Sequence, residues 1–276
     1  MFTLIIDAGS TKMDWALLES KKVVQRLTTP GFNPNYADIQ QLENIVSLVE
    51  LPKEEVKALY YYGSGCLKAE NADKVRMILQ KHFPGCIPQV GNDMMGAAFA
   101  LLGNEKGIAC ILGTGANSCL YDGQTITERA VSLGYLVGDE GSGCYIGRKL
   151  ARAYFYGWMP TELEHAFHDA YQLELNDFID RVYHQPEASR YLAELAKFAG
   201  DHIDHPYIQA LVKSCFNDFL QAFVLRYRDC RNLPICFVGS VAFHFQTLLY
   251  ECLSAEGLAM GKVMRSPMEG LIQRYS

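Results

Sequence analysis

Apolar residues appear first at Leu4, Ile5 and Ile6, stop at Asp7, and resume on an alternating pattern from Met13 to Leu18. Between them lies the small and polar run Asp7-Ala8-Gly9-Ser10-Thr11-Lys12. Two short apolar stretches joined by a glycine-containing turn predict a β-hairpin. A further strand is predicted over 22–27, followed by a loop over 29–35, where prolines, asparagines and a glycine crowd together. Apolar positions at 39, 42, 45, 46 and 49 predict a helix over 39–49. The run 58–62 reads as a strand ending at Gly63-Ser64-Gly65, with a helix over 71–82 behind it. Gln89 and Val90 end a short strand that delivers Asn92 and Asp93 to a helix of small residues, 96–100.

The pattern then restarts. After Gly103-Asn104-Glu105-Lys106-Gly107, the apolar residues 108–112 lead into Gly113-Thr114-Gly115-Ala116-Asn117, a second strand over 118–121 and the turn Asp122-Gly123. This repeats the strand, glycine turn, strand plan of the first residues and predicts two similar domains facing one another, 1–104 and 105–276. The remainder is mostly helical, with helical spacing over 142–155, 187–198 and 206–227. One late strand, 235–238, ends at Gly239-Ser240 and precedes a last run of helix.

The chain has 276 residues, enough for one large or two ordinary domains, and its formal net charge is −6. That balance excludes a polyanion-coating protein, since neutralising phosphates along nucleic acid needs surplus Lys and Arg. A small anion held by backbone amides is compatible with it. No stretch approaches the roughly 18 apolar residues of a membrane span, and Asp7 interrupts the first apolar run too soon for a signal peptide. The expectation is a cytoplasmic protein. Its nine cysteines are spread without a Cys-x-x-Cys pair, which favours buried thiols over disulfides or a metal cluster. The seven histidines are scattered and give no metal-ligand spacing.

The candidate chemistry lies in the turns. A turn of small residues lets successive backbone N–H groups converge on an anion, with no Cβ to hold a phosphate off. Gly9, Ser10, Thr11 and Lys12 offer one such cradle, with two hydroxyls and an ammonium; Gly113, Thr114, Gly115 and Asn117 offer another. Neither matches Gly-x-x-x-x-Gly-Lys-Ser/Thr, and no Gly-x-Gly-x-x-Gly opens a helix after a strand, so the P-loop and Rossmann readings fail. Asp7, at a strand end, is placed to face a magnesium ion through water. Phosphoryl transfer to an alcohol also needs a carboxylate to accept the hydroxyl proton, and Asp93 is the candidate. The competing reading is that Asn92 or Asp93 caps the following helix. Gly138-Asp139-Glu140-Gly141-Ser142-Gly143 sets two carboxylates among glycines ahead of a helix, a pattern suited to a polyol or metal, with Gly134-Tyr135 as an aromatic wall upstream.

These segments, in this order, resemble the sugar kinase, Hsp70 and actin superfamily. Within it the chain is similar, nearly end to end, to the N-acetylglucosamine kinase branch, which also holds the activating ATPases of benzoyl-CoA reductase. The resemblance implies an α/β protein of two RNase H-like, actin-like ATPase domains around an interdomain cleft that takes ATP, Mg2+ and a sugar. Asp93 is then the base for the 6-hydroxyl, most simply of N-acetylglucosamine. Asn33, Ser64, Gly65, Gly134, Tyr135, Asp139 and Ser142 are expected at the sugar, with Asp139 on a sugar hydroxyl or on magnesium, and Gly239-Ser240 at the adenosine. Asp7 keeps its magnesium role. Glucosamine, N-acetylmuramic acid or a non-sugar hydroxyl is an alternative acceptor, and a slow regulatory ATPase acting on a protein partner is an alternative class. A homodimer is implied by relatives alone. The adenosine motif has one glycine where relatives have two, the chain is short for the branch, and the paired cluster-binding cysteines of the activating ATPases are lacking.

Overall fold

In the computed structural model, which describes residues 1–276, contacts divide the chain into two compact units. Unit 1 holds Met1–Glu105, Asp122–Ile126 and Ser266–Ser276; unit 2 holds Lys106–Tyr121 and Thr127–Arg265. This division differs from a single boundary after residue 104, because the C-terminal helix and the tip of a hairpin pack with the first unit.

Unit 1 runs β1 (Phe2–Ala8), β2 (Lys12–Glu19), β3 (Lys22–Pro30), α1 (Ile39–Leu48), β4 (Val56–Gly63), α2 (Ala69–His82), β5 (Gln89–Asn92) and α3 (Asp93–Leu102). Its sheet has the order β3-β2-β1-β4-β5, antiparallel through the first three strands and parallel from β1 to β4 and β5. β1 reads as an unbroken apolar run because Leu4, Ile5 and Ile6 are buried on both faces. One face packs α1 and α2 through Leu42, Val46, Val75 and Leu79. Strand β3 continues three residues further than its pattern predicts, to Pro30, because Lys12 pairs opposite Pro30 at the sheet edge, where a missing N–H costs no ladder bond.

Unit 2 runs β6 (Gly107–Leu112), β7 (Ala116–Tyr121), β8 (Ile126–Arg129), α4 (Gly143–Phe155), α5 (Thr161–Tyr171), α6 (Leu175–Tyr183), α7 (Ala188–Leu195), α8 (Lys197–Asp201), α9 (Pro206–Phe219), β9 (Ile235–Val238), α10 (Ser240–His244), α11 (Gln246–Ala255) and β10 (Met260–Met264). Its sheet order, β10-β9-β6-β7-β8, is the order of unit 1 read from the other edge, again with an antiparallel hairpin beside a parallel pair. The repeat seen in the sequence is therefore a repeat of RNase H-like sheets. The expected all-helical end is corrected by β10, whose residues are only partly buried and so carry no unbroken apolar signal. β8 escaped the pattern for the same reason. The expected helix over 206–227 ends its α-helical part at Phe219 and continues as one π-helical turn, Leu220–Val224. All nine cysteines are free, and no helix is long and apolar enough to cross a membrane.

The last helix, α12 (Met268–Tyr275), returns to the unit 1 sheet, burying Met268, Leu271 and Ile272 against Ile5, Leu18 and Ala100. Tyr275 stacks on Tyr60 with ring centroids 3.7 Å apart, its hydroxyl bonds that of Tyr62, and Arg26 pairs with Glu269 at 2.5 Å. Gly270 sits so close to α3 that a Cβ would lie 2.3 Å from the Ala100 carbonyl oxygen. Alanine is the better helix former by about 1 kcal/mol, but the overlap is with backbone that cannot swing aside. Gly270→Ala is expected to destabilise unit 1 by roughly 1–3 kcal/mol, read as a lower melting temperature; a higher one would mean that the helix is not seated this closely.

Candidate active site

The carboxy edge of the unit 1 sheet gathers the expected residues of that unit, Asp7, the first turn, Asn33, Ser64, Gly65 and Asp93. The first turn is closed by Gly9 N–H donating to the Lys12 carbonyl at 2.9 Å, and the chain after β3 docks on it through Gly31 N–H to Thr11 O and Phe32 N–H to Gly9 O, at 3.0 and 3.1 Å. Gly31 permits that approach, since a Cβ there would lie 2.4 Å from the Ser10 carbonyl carbon. Asn33 follows at once. Its Nδ2 donates to Ser10 Oγ at 3.0 Å, while its Oδ1 accepts from the Asn35 N–H at 3.0 Å. The same Oδ1 occupies the space that a side chain at Gly65 would need, and Gly65 has φ +78°. Asn33 thus brings the first turn and the Ser64-Gly65 turn together.

Asn71 fixes this joint from behind. It is buried, and its amide donates to Asn35 Oδ1 at 3.0 Å and to the Gly65 carbonyl at 2.9 Å. No local pattern marks it, because an asparagine on a helix face reads as a surface residue.

At the β5 to α3 junction the cap falls to Asn92, not to Asp93. Asn92 is the N-cap, its Oδ1 accepting from Met95 N–H at 3.0 Å. This releases Asp93 from capping across the first turn. Its Oδ1 accepts the neighbouring Met94 N–H and its Oδ2 accepts the Ser64 hydroxyl, both at 2.9 Å. A carboxylate at a helix N-terminus is favoured by the helix dipole. Ser64 is itself held by its N–H to the Ala8 carbonyl at 3.0 Å.

Asp7 lies at the same edge. Burial, with the charges of Asp14 and Asp93, pushes its carboxyl up to about 7, and only Lys12 works in the other direction. Lys12 is engaged by Asp14 at 2.6 Å, and Asp14 also accepts the Thr28 hydroxyl at 2.9 Å. Three carboxylates with one partly exposed ammonium leave a deficit of positive charge, which fits a cation. No three His, Cys, Asp or Glu side chains gather closely enough to enclose a metal. A magnesium ion that keeps most of its waters fits such a site.

In unit 2 the second turn is pinned from below. The amides of Gly143 and Cys144, at the start of α4, donate to the carbonyls of Gly113 and Thr114 at 2.8 and 3.1 Å. Ser142 is wholly buried and caps that helix, accepting from Tyr145 N–H at 3.2 Å. Asp139, buried and at φ +55°, lies with Oδ2 3.0 Å from where a Cβ at Gly115 would be. Burial raises its pKa, opposed first by the hydrogen bond from the Ala116 N–H and, more weakly, by the Ser132 hydroxyl. The Gly113 Cα has open space beside it, the feature a phosphate needs. Asn117 spends its Oδ1 on the Ser118 N–H at 2.8 Å.

Gly134 takes φ +74°, and Arg148, unremarked in the sequence, donates to the carbonyls of Tyr135 and Leu136 at 2.7 and 2.6 Å, holding this segment to α4. Gly239 has φ +128°, and a Cβ there would meet the Leu112 carbonyl oxygen at 2.1 Å; Ser240 then opens α10. A single glycine therefore meets the steric demand of this turn against β6.

No protein-family model matches the chain, and no curated protein does. Solved structures do. A candidate N-acetylglucosamine kinase from Porphyromonas gingivalis is 42% identical, with 99% of this chain and 98% of that one covered and a TM-score of 0.94. A second, from Chromobacterium violaceum, is 17% identical over 100% and 99% at TM-score 0.77. A ROK family glucokinase from Streptomyces griseus, solved with glucose and AMPPNP, is 13% identical over 99% and 98% at TM-score 0.57. The last two share the fold. The twin sheets and their glycine turns define an actin-like ATPase fold of the sugar-kinase class. By its likeness to the Porphyromonas protein, the chain belongs to the N-acetylglucosamine kinase-like family of that class.

The raised Asp7 carboxyl makes stability depend on pH. The folded protein holds this proton more tightly than the unfolded chain, whose carboxyl has the ordinary value of 3.8, so the contribution is full below about pH 4 and is lost as pH rises through about 7. In magnesium-free buffer the melting temperature of Asp7→Asn is expected to lack this decline, and to exceed that of the native protein at about pH 8. Parallel curves for the two proteins would contradict the assignment.

Proposed function

We propose that the chain transfers the γ-phosphoryl group of ATP to the 6-hydroxyl of an amino sugar, with N-acetylglucosamine as the preferred acceptor. The observation that carries this reading is the Asn33 bridge. It joins the turn suited to a donor phosphate, through Ser10, to the turn suited to an acceptor, at Gly65, directly beside Asp93 and its Ser64 partner. Membership of the family supports it.

Each residue then has a task. Bound magnesium-ATP supplies the electrophilic phosphoryl group. Asn33 and the Ser64-Gly65 turn orient the acceptor. Asp93, fixed by the Ser64 hydroxyl and the Met94 N–H, takes the 6-hydroxyl proton as the oxygen-phosphorus bond forms and the bond to the ADP oxygen breaks. Asp7 would hold magnesium through the ion's waters, and the ion would supply positive charge to the transferred phosphoryl group. In unit 2 the amides of Gly113, Thr114 and Gly115 receive phosphate, and Gly239-Ser240 lies at the nucleoside. Asp139 is engaged by Ala116 and Ser132, so its first task is to fix the second turn, with lone pairs left for a sugar hydroxyl. Ser142 acts through its cap on α4, and Gly134-Tyr135 remains the proposed sugar wall. The proposed setting is cytoplasmic, and a homodimer is the assembly to be checked by light scattering.

Coupled ADP release with magnesium-ATP, screened against N-acetylglucosamine, glucosamine, N-acetylmuramic acid, glucose and a sugar-free control, tests the reading. Release that depends on N-acetylglucosamine is the expected result. Equal slow release in every reaction would replace it with an ATPase acting on a protein partner. Asp93→Asn is expected to lower kcat by about a hundredfold or more with both KM values nearly intact, the loss of a general base. Asn33→Ala is expected to raise the sugar KM more than the ATP KM, and unchanged sugar dependence would remove Asn33 from the acceptor site.

A further inference from the structure

Tyr61 lies in β4, wholly buried in the unit 1 core with Ile6, Ala8, Phe32 and Cys66. Its hydroxyl is the one buried side-chain polar atom of the chain with no hydrogen-bond partner in the protein. Buried hydroxyls are nearly always satisfied, and phenylalanine would fill the same space without the desolvation penalty. A hydroxyl kept in such a place calls for a partner outside the protein's own polar groups.

The direction of the ring shows where that partner lies. A Cβ at Gly63 would sit 2.4 Å from Tyr61 Cε1 and 2.8 Å from the hydroxyl oxygen. The ring is therefore laid along its own strand toward the carboxy edge, and Gly63 is glycine because the ring crosses it. Gly63 is in register with Ala8 of β1 and Asn92 of β5. Those two residues stand immediately beside Asp7 and Asp93 in the chain. The hydroxyl thus reaches the level of Asn92, from which the chain passes directly to Asp93. Burial acts most strongly on this hydroxyl, and Cys66, Asp7 and Asp93 lie near enough to add to it.

Resting on the kinase reading above, we infer that Tyr61 is a positioning residue, its hydroxyl supporting the Asp93 carboxylate from within the sheet through one buried water. A water in such a place satisfies groups too far apart to touch, and ordinarily makes two to four hydrogen bonds. Tyr61 donates to it, and it donates to the carboxylate. Asp93 then cannot turn away from the acceptor hydroxyl, while Ser64 and Met94 hold it from the loop and the helix. Tyr61 touches neither substrate nor nucleotide, so its removal acts on turnover and leaves binding alone.

Tyr61→Phe, the removal of one oxygen atom, is the test. The expected result is a fall in kcat of about tenfold, as for a lost hydrogen bond to a charged group, with the sugar and ATP KM values within twofold of the native ones. A native kcat would overturn the inference. A second measurement stands apart from activity: the melting temperatures of Tyr61→Phe, Asp93→Asn and the double variant. The hydroxyl linked to the carboxylate predicts that Tyr61→Phe lowers the melting temperature, and that the loss shrinks in the Asp93→Asn background. An unlinked hydroxyl predicts a rise, equal in both backgrounds, which would overturn the inference even if no sugar proved to be an acceptor. Sugar-independent turnover by the native protein would sink the kinase reading, and the thermal cycle would still decide the link between Tyr61 and Asp93.

Discussion

The register of three parallel strands governs the rest of unit 1. Ala8, Gly63 and Asn92 lie side by side across β1, β4 and β5, so the chain leaves the sheet at one level in three places. Asp7, Ser64 and Asp93 follow from that. A slip of one residue in β4 would turn Tyr61 out of the core and carry Ser64 away from Asp93, because side chains alternate faces along a strand. The slip is opposed by the burial of Leu59 and Tyr61 on one face and Tyr62 on the other. The precision of the site is thus a by-product of core packing, with the apolar residues deep in the sheet setting where the polar ones stand.

On this frame the loops are joined by side-chain amides. Asn33, Asn35 and Asn71 link the first turn, the chain after β3 and the Ser64-Gly65 turn in one series of hydrogen bonds. An amide carries donor and acceptor together and does not titrate, so such a joint holds its geometry when charges arrive nearby. The second turn is built differently. Backbone amides at the head of α4 hold the carbonyls of Gly113 and Thr114, and the carboxylate of Asp139 holds the Ala116 N–H. In both units the fixed loop leaves small residues lining the space a phosphate would take, and its shape is set before any ligand binds.

The sequence made the strands, the glycine turns and the repeat legible, because each is a short-range signal: an apolar run, a change of period, a cluster of small residues. Asp93 was visible for the same reason, at the end of a strand and the head of a small-residue helix. Its partner Ser64 was visible as part of a turn, but their hydrogen bond spans 29 positions and no local pattern encodes it. Asn71, Arg148 and Tyr61 were missed on the same ground, since each acts on a loop or strand edge that only the fold brings near. β10 and the return of α12 to unit 1 were missed because partly buried residues blur the period, and Gly270 reads as a helix-weakening residue until Ala100 is set beside it.

The two units treat negative charge in opposite ways, and this difference bears on mechanism. Asp139 is engaged by protein donors, the Ala116 N–H and the Ser132 hydroxyl. At the unit 1 edge, Asp7, Asp14 and Asp93 repel one another, and a single ammonium, from Lys12, answers them. Repulsion of this kind costs folding stability in the free protein, and a divalent cation relieves it. A cation bound there would draw on repulsion already present in the fold, and the Asp7 proton that burial retains would have to leave for the carboxylate to face it. Under the proposed phosphoryl transfer this ordering would be useful: Asp93 is anchored by neutral donors, while Asp7 carries the raised carboxyl that a nearby cation would bring down. Two aspartates of the same chemistry are thereby given different roles by their neighbours alone.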